Sequence, residues 1–126
     1  MKERLLALLI LSTFISLAQE TQLDSINHKL GFHTKKDTIR LDLLLESSEL
    51  AGFDEPILAI QKAEEAFNIA KQLKRQDYQS KAILAKGTAY YRMDNLNKAL
   101  SHYQESLDIA QKTSDTLLQS EVLNNI

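Results

Sequence analysis

The chain contains no cysteine, one proline and three glycines. The missing cysteine excludes disulfides, thiolate metal sites, a thiol nucleophile and a lipid-anchored cysteine. It does not fix the compartment, because an exported chain can do without cysteine. With so little proline and glycine, loops must be few and short. Strand-favouring aromatic and β-branched residues are also sparse. Leu, Ala, Lys, Gln and Glu are abundant instead, and these are the better helix formers. The expected fold class is therefore all-α. A formal net charge of −2 gives no basic face for nucleic acid.

The N-terminus has its own pattern. Lys2 and Arg4 precede a run from Leu5 to Leu17 that is broken only by Ser12, Thr13 and Ser16. Ser16-Leu17-Ala18 offers small residues at the two positions a signal peptidase reads, and Gln19 to Gln22 are polar. This is the three-part pattern of a secretory signal peptide. Leu5 to Leu17 is 13 residues, short of the roughly 20 that span a bilayer. An uncleaved anchor is the alternative. A buried amphipathic helix fits less well, because the run is apolar on every side. The expectation is cleavage near Ala18-Gln19 and a periplasmic or otherwise extracytoplasmic mature chain.

Residues 37–86 lie over residues 77–126 at a spacing of 40, as from Asp37 to Asp77. Identities are few, but large, small and polar positions keep their classes. Leu44 meets Leu84, Ser47 meets Gly87, Asp54 meets Asp94, Ala59 meets Ala99, Ala66 meets Ser106, and Ala70 meets Ala110. Each unit divides into two helices. The first is expected from Thr38 to Ala51 and again from Tyr78 to Arg92. The second is expected from Pro56 to Leu73 and again from Leu96 to Lys112. Leu96, Ala99, Leu100, Tyr103, Leu107 and Ala110 recur at steps of three and four, which is one apolar stripe of a helix. Short connections make neighbouring helices antiparallel. A further first helix follows Ser114-Asp115. The domain plan is a signal peptide at 1–18, a polar lead at 19–36, and repeats at 37–76, 77–116 and, in part, 117–126.

These positions resemble the tetratricopeptide repeat. That family asks for a small residue in the first helix, a tyrosine three further on, and two small residues in the second helix. Gly87, Tyr90, Ala99 and Ser106 fit. Ser47, Ala59 and Ala66 fit in the first unit, with Leu50 in place of tyrosine. Small side chains let helix axes approach while bulky neighbours fill the gaps. The chain departs from the pattern in lacking the early aromatic (Leu43, Ile83) and the closing proline (Lys71, Gln111). Its period of 40 exceeds the common value of about 34. Such long repeats are similar to those in extracytoplasmic sensor regions of certain bacterial histidine kinases and transcription regulators, and Asp37-Thr38-Ile39-Arg40-Leu41 is similar to the opening of those arrays.

The resemblance implies an α-solenoid that binds a protein or peptide on its concave face. It implies no catalysis and no cofactor. The alternative it implies is the truncated N-terminal sensor of a membrane-bound two-component kinase or regulator, touching the membrane through a missing downstream segment or the uncleaved signal. Residue 127 would align with Gly87, so the chain stops halfway along a first helix. Either it is a fragment, or Ser114–Ile126 is the cap.

Chemistry-bearing residues are few. His28 and His33 lack the spacing of a helical zinc pair, and His102 is expected to face solvent. Glu46, Glu49, Glu64 and Glu65 read as surface charges. No nucleophile elbow or phosphate loop is present, so no catalytic, cofactor or metal residues are expected. The resemblance places Leu44, Ser48, Ala51, Leu84, Thr88, Tyr91, Arg92 and Asn124 along the concave face. Tyr90 and Tyr103 are expected in the core. In the lead, Leu23, Ile26 and Leu30 suggest a short helix ending near Gly31, either an N-terminal cap or a coiled-coil contact.

Overall fold

The computed structural model describes residues 1–113 and 116–126, and of residues 16, 18–21 and 118 it describes the backbone alone. Every regular element among the described residues is a helix, with no strand. The elements are α1 (Lys2–Phe32), α2 (Thr38–Ala51), α3 (Pro56–Gln72), α4 (Gln76–Arg92), α5 (Leu96–Lys112) and α6 (Thr116–Asn125). Each helix packs on the next, and α4 also packs on α2 and α6.

Local chemistry sets these boundaries. Asp37 caps α2 by accepting a hydrogen bond from the Arg40 amide at 3.0 Å, and Asn95 caps α5 through the Lys98 amide at 3.3 Å. Pro56 opens α3, where a missing amide costs nothing. The ends of α3 and α4 are closed by Lys74 (φ 55°) and Asp94 (φ 59°), both left-handed. The Arg75 amide then reaches Ala70 O at 2.9 Å, and the Asn95 amide reaches Tyr90 O at 2.9 Å. Both are Schellman closures made without glycine. Ser114 and Asp115, the expected lead into α6, lie outside the described residues.

The contacts give the directions. Ser80 and Ser106 donate to each other's backbone carbonyls at 2.7 Å, and Gly87 lies against Ala99 and Tyr103. Moving forward along α4 thus moves backward along α5, so the two are antiparallel. Ser48 Oγ on Ala59 O and Arg40 on Glu65 relate α2 to α3 in the same way. By contrast, Tyr78 donates to Asp42 at 2.7 Å, and Arg92 donates to Glu49 O at 3.3 Å. Both partners advance together, so α2 and α4 run parallel, side by side.

The small positions are where close packing needs them. Ser47, Ala59, Ala66, Gly87, Ala99 and Ser106 are all buried. Tyr103 is buried as well, while Tyr90 is half-buried. Three apolar clusters run through the helices. One joins Ile26 and Leu30 of α1 to Leu41, Leu44, Ala66, Ile69, Ala70 and Ala82. A second joins Leu23 to Ala51, Ala59 and Ala89. The third joins Leu84, Ala99, Tyr103 and Ala110 to Val122 of α6.

The lead differs from expectation. It is not a separate short helix but the second half of α1, which is continuous for 31 residues. Leu23, Ile26 and Leu30 are buried, whereas every residue from Met1 to Leu17 whose side chain is described is exposed. The spacing of 40 extends back into this half: Leu23, Ile26 and Leu30 stand in register with Ala63, Ala66 and Ala70, and with Tyr103, Ser106 and Ala110. All nine are buried. The lead therefore takes the place of a second helix preceding α2. Arg40 ties it down, donating to Leu30 O at 3.2 Å and His33 O at 2.8 Å while pairing with Glu65 at 2.5 Å.

Candidate functional site

Because α2 and α4 lie parallel and α6 packs against α4, their outward faces form a groove with a volume of about 420 Å³. Leu45, Leu84, Ala85 and Ala89 are its apolar lining. Ser48, Thr88 and Asn125 add neutral polar groups, Glu46, Glu49 and Glu121 add carboxylates, and Lys81 and Arg92 add cations.

Of the expected concave residues, Ser48, Leu84, Thr88 and Arg92 line this groove. Leu44 and Ala51 do not: they are 0% and 1% exposed, in the clusters shared with α3. Tyr91 is 60% exposed but outside the groove. Asn124 is exposed, and its neighbour Asn125 lines the groove instead. The physical reason is angular. A helix turns about 100° per residue, so the stripe Leu41, Leu44, Ser48 and Ala51 that enters the core turns Leu45 and Glu49 towards the groove.

Several donors of the groove bond inside the protein. Ser48 Oγ donates to Ala59 O at 2.8 Å, Thr88 Oγ1 to Leu84 O at 3.1 Å, and Asn125 Nδ2 to Glu121 O at 2.9 Å. Arg92 donates to Glu49 O and stacks 3.9 Å from the Phe53 ring. A Cβ at Gly52 would fall on the Arg92 guanidinium, so glycine there makes room for this contact between hairpins. Lys81 sits 5.4 Å from the Tyr78 ring. Tyr78 itself is half-buried and donates to Asp42; its removal from water, and then that bond, push its pKa up to about 12.

Two charged groups expected at the surface lie there, Glu64 exposed and Glu65 half-exposed, and both also bridge helices. Glu64 pairs with Lys86 at 2.6 Å, and Glu65 pairs with Arg40. His102 does not face solvent. It is half-buried and stacks on Tyr90 at 5.3 Å between ring centroids. Its Nδ1 is 3.7 Å from Glu105 Oε2, beyond hydrogen-bond length. Burial lowers its pKa, and Lys86 adds to that. His33 Nε2 lies 2.7 Å from Asp37. The Arg40 amide, and then His33, hold the Asp37 carboxyl below its usual value.

Among the described residues, no group of three or more His, Cys, Asp or Glu side chains could hold a metal ion. No described helix is long and apolar enough to cross a membrane. No family model, curated protein or solved structure matches the chain.

Proposed function

We propose that this chain is an exported scaffold of the tetratricopeptide type, an α-solenoid that binds a protein or peptide in the groove between α2, α4 and α6 and performs no chemistry of its own. The observation that carries the reading is the parallel placement of α2 beside α4. It repeats one hairpin against the next at a spacing of 40 residues (Gly52 beside Arg92) and leaves a concave face. Stacked helical hairpins generate such extended surfaces, and burial of apolar side chains drives association with them. Residues 1–18 act as the export signal. The support is that their described side chains contribute nothing to the packed core, which begins at Leu23.

Selection of a displayed peptide library on the full chain tests the groove. Enriched peptides should bind wild type and lose at least tenfold affinity on Ala85→Trp, which fills the groove. Absence of enrichment, or binding indifferent to Ala85→Trp, would reject the reading. Export is checked by mass spectrometry after secretion in a bacterial host. The exported form should begin at Gln19, and a full-length exported form would favour an anchor.

A further inference from the structure

We propose that the connection between α1 and α2 is a processing site for a protease of trypsin specificity, and that the lead stays docked once the chain is cut. The site lies apart from the groove. Such a protease takes lysine or arginine, and nicking concentrates at exposed loops whose backbone is not tied into the fold. Of the 15 lysines and arginines, only Lys35, Lys36, Lys74 and Arg75 lie outside the helices. They form two pairs, each in a connection. The Lys74-Arg75 pair is closed. The amides of Leu73, Lys74 and Arg75, its whole connection, donate to carbonyls of α3, and the Arg75 guanidinium holds both Asp77 carboxylate oxygens, at 2.9 and 2.6 Å. The Lys35-Lys36 pair is open. Its connection is longer, from His33 to Asp37. Both lysines are exposed, and neither ammonium has an ion-pair partner among the described residues. The amides of Thr34, Lys35 and Lys36 donate no backbone hydrogen bond; the bond from the Asp37 amide to Lys35 O, at 3.1 Å, is the one made inside the connection. Hydrolysis after Lys35 or Lys36 adds one water across the amide, leaving a carboxylate on that lysine and an amino group on the next residue. What holds the lead lies on its own side of the cut. Leu23, Ile26 and Leu30 are buried, Asn27 accepts from Ser47 at 2.8 Å, and Arg40 of α2 donates to Leu30 O and His33 O. Cutting therefore turns a covalently attached first helix into one held by contacts alone.

The test is brief digestion of the full chain with trypsin, read by mass spectrometry. The readout is the first cut beyond Leu23, because Lys2 and Arg4 lie in the exposed half of α1. That cut should fall after Lys35 or Lys36. A first cut after Lys74, Arg75 or any helical lysine or arginine beyond Leu23 overturns the proposal, as does no cut under conditions that digest the urea-unfolded chain. The double variant Lys35→Gln, Lys36→Gln alters only exposed side chains. It should keep its circular dichroism spectrum and be digested beyond Leu23 at least tenfold more slowly. An unchanged rate removes the site. On size-exclusion chromatography the two fragments of the cut chain should elute together and separate only in urea. Separate elution in native buffer overturns the docked lead.

Discussion

The hairpins α2–α3 and α4–α5 share one register and fill it differently. At the central crossing of the first stand Ser47 and Ala63; at the same positions of the second stand Gly87 and Tyr103. The first hairpin keeps both residues small and is flanked by α1, with Ser47 bonded to Asn27 at 2.8 Å. The second gives up a side chain at position 87 so that the Tyr103 ring can lie on bare backbone. Its helices are joined by the Ser80–Ser106 pair, whereas Arg40 fastens the first hairpin to the lead.

Four tests sharpen that contrast. The largest effect is expected from Leu44→Ala. Leu44 is fully buried, so its loss should cost about 2–5 kcal/mol in urea denaturation. Leu84→Ala, at the same register, should fall at the low end of that range because the groove already borders Leu84; equal losses would erase the difference between the hairpins. Next, Gly87→Leu should cost on the order of 1–3 kcal/mol by overpacking, since even a Cβ there would lie 2.7 Å from the Tyr103 ring. An unchanged melting temperature would show that this crossing is not tight.

The two left-handed closures should respond in the opposite sense. Lys74→Gly should stabilise by up to about 1 kcal/mol by relieving a strained φ, and Asp94→Gly by less, because Asp tolerates that region better. Destabilisation in both would mean that these side chains contribute more than the strain they carry. The smallest effect is that of pH. His102 has a lowered pKa in the folded chain, so its neutral form contributes stability above the unfolded value near 6.5, lost as pH falls through the lower folded value. Lys86, Glu105 and Glu64 all act on it. Asp37 is also lowered, but from 3.8, so its contribution is lost only in stronger acid. Melting temperature should therefore drop modestly from pH 7 to 5, with His102→Phe flattening the drop. A drop unaltered by His102→Phe would place the sensitivity elsewhere.

Much of the helical plan was legible because period and caps act locally. Thr38–Ala51 and Leu96–Lys112 are bounded as expected, while α4 begins at Gln76 rather than Tyr78. The lead was harder. Leu23, Ile26 and Leu30 occupy positions held elsewhere by Ala63, Ala66 and Ala70, so the same register is written in residues of different size. Continuing the alignment backwards would have revealed it. The groove was only half legible, because its direction depends on which face of α2 enters the core. Glu46, Glu49 and Glu121 gave no signal, since exposed carboxylates look alike until a neighbouring helix encloses them. His102 was misplaced because its burial comes from Tyr90 on the adjoining helix.

The position of α4 carries a dynamic consequence. It meets α2, α3, α5 and α6, whereas among the described residues α6 meets α4 and α5, and α1 meets α2 alone. In a structure held together by nearest neighbours, opening starts where neighbours are fewest. Amide protons of α1 should exchange with solvent first, those of α6 next, and those at the centre of α4 last. The wall of the groove formed by α6 would then breathe while its floor on α4 stays still, so an incoming segment would meet a hinged rim over a rigid base.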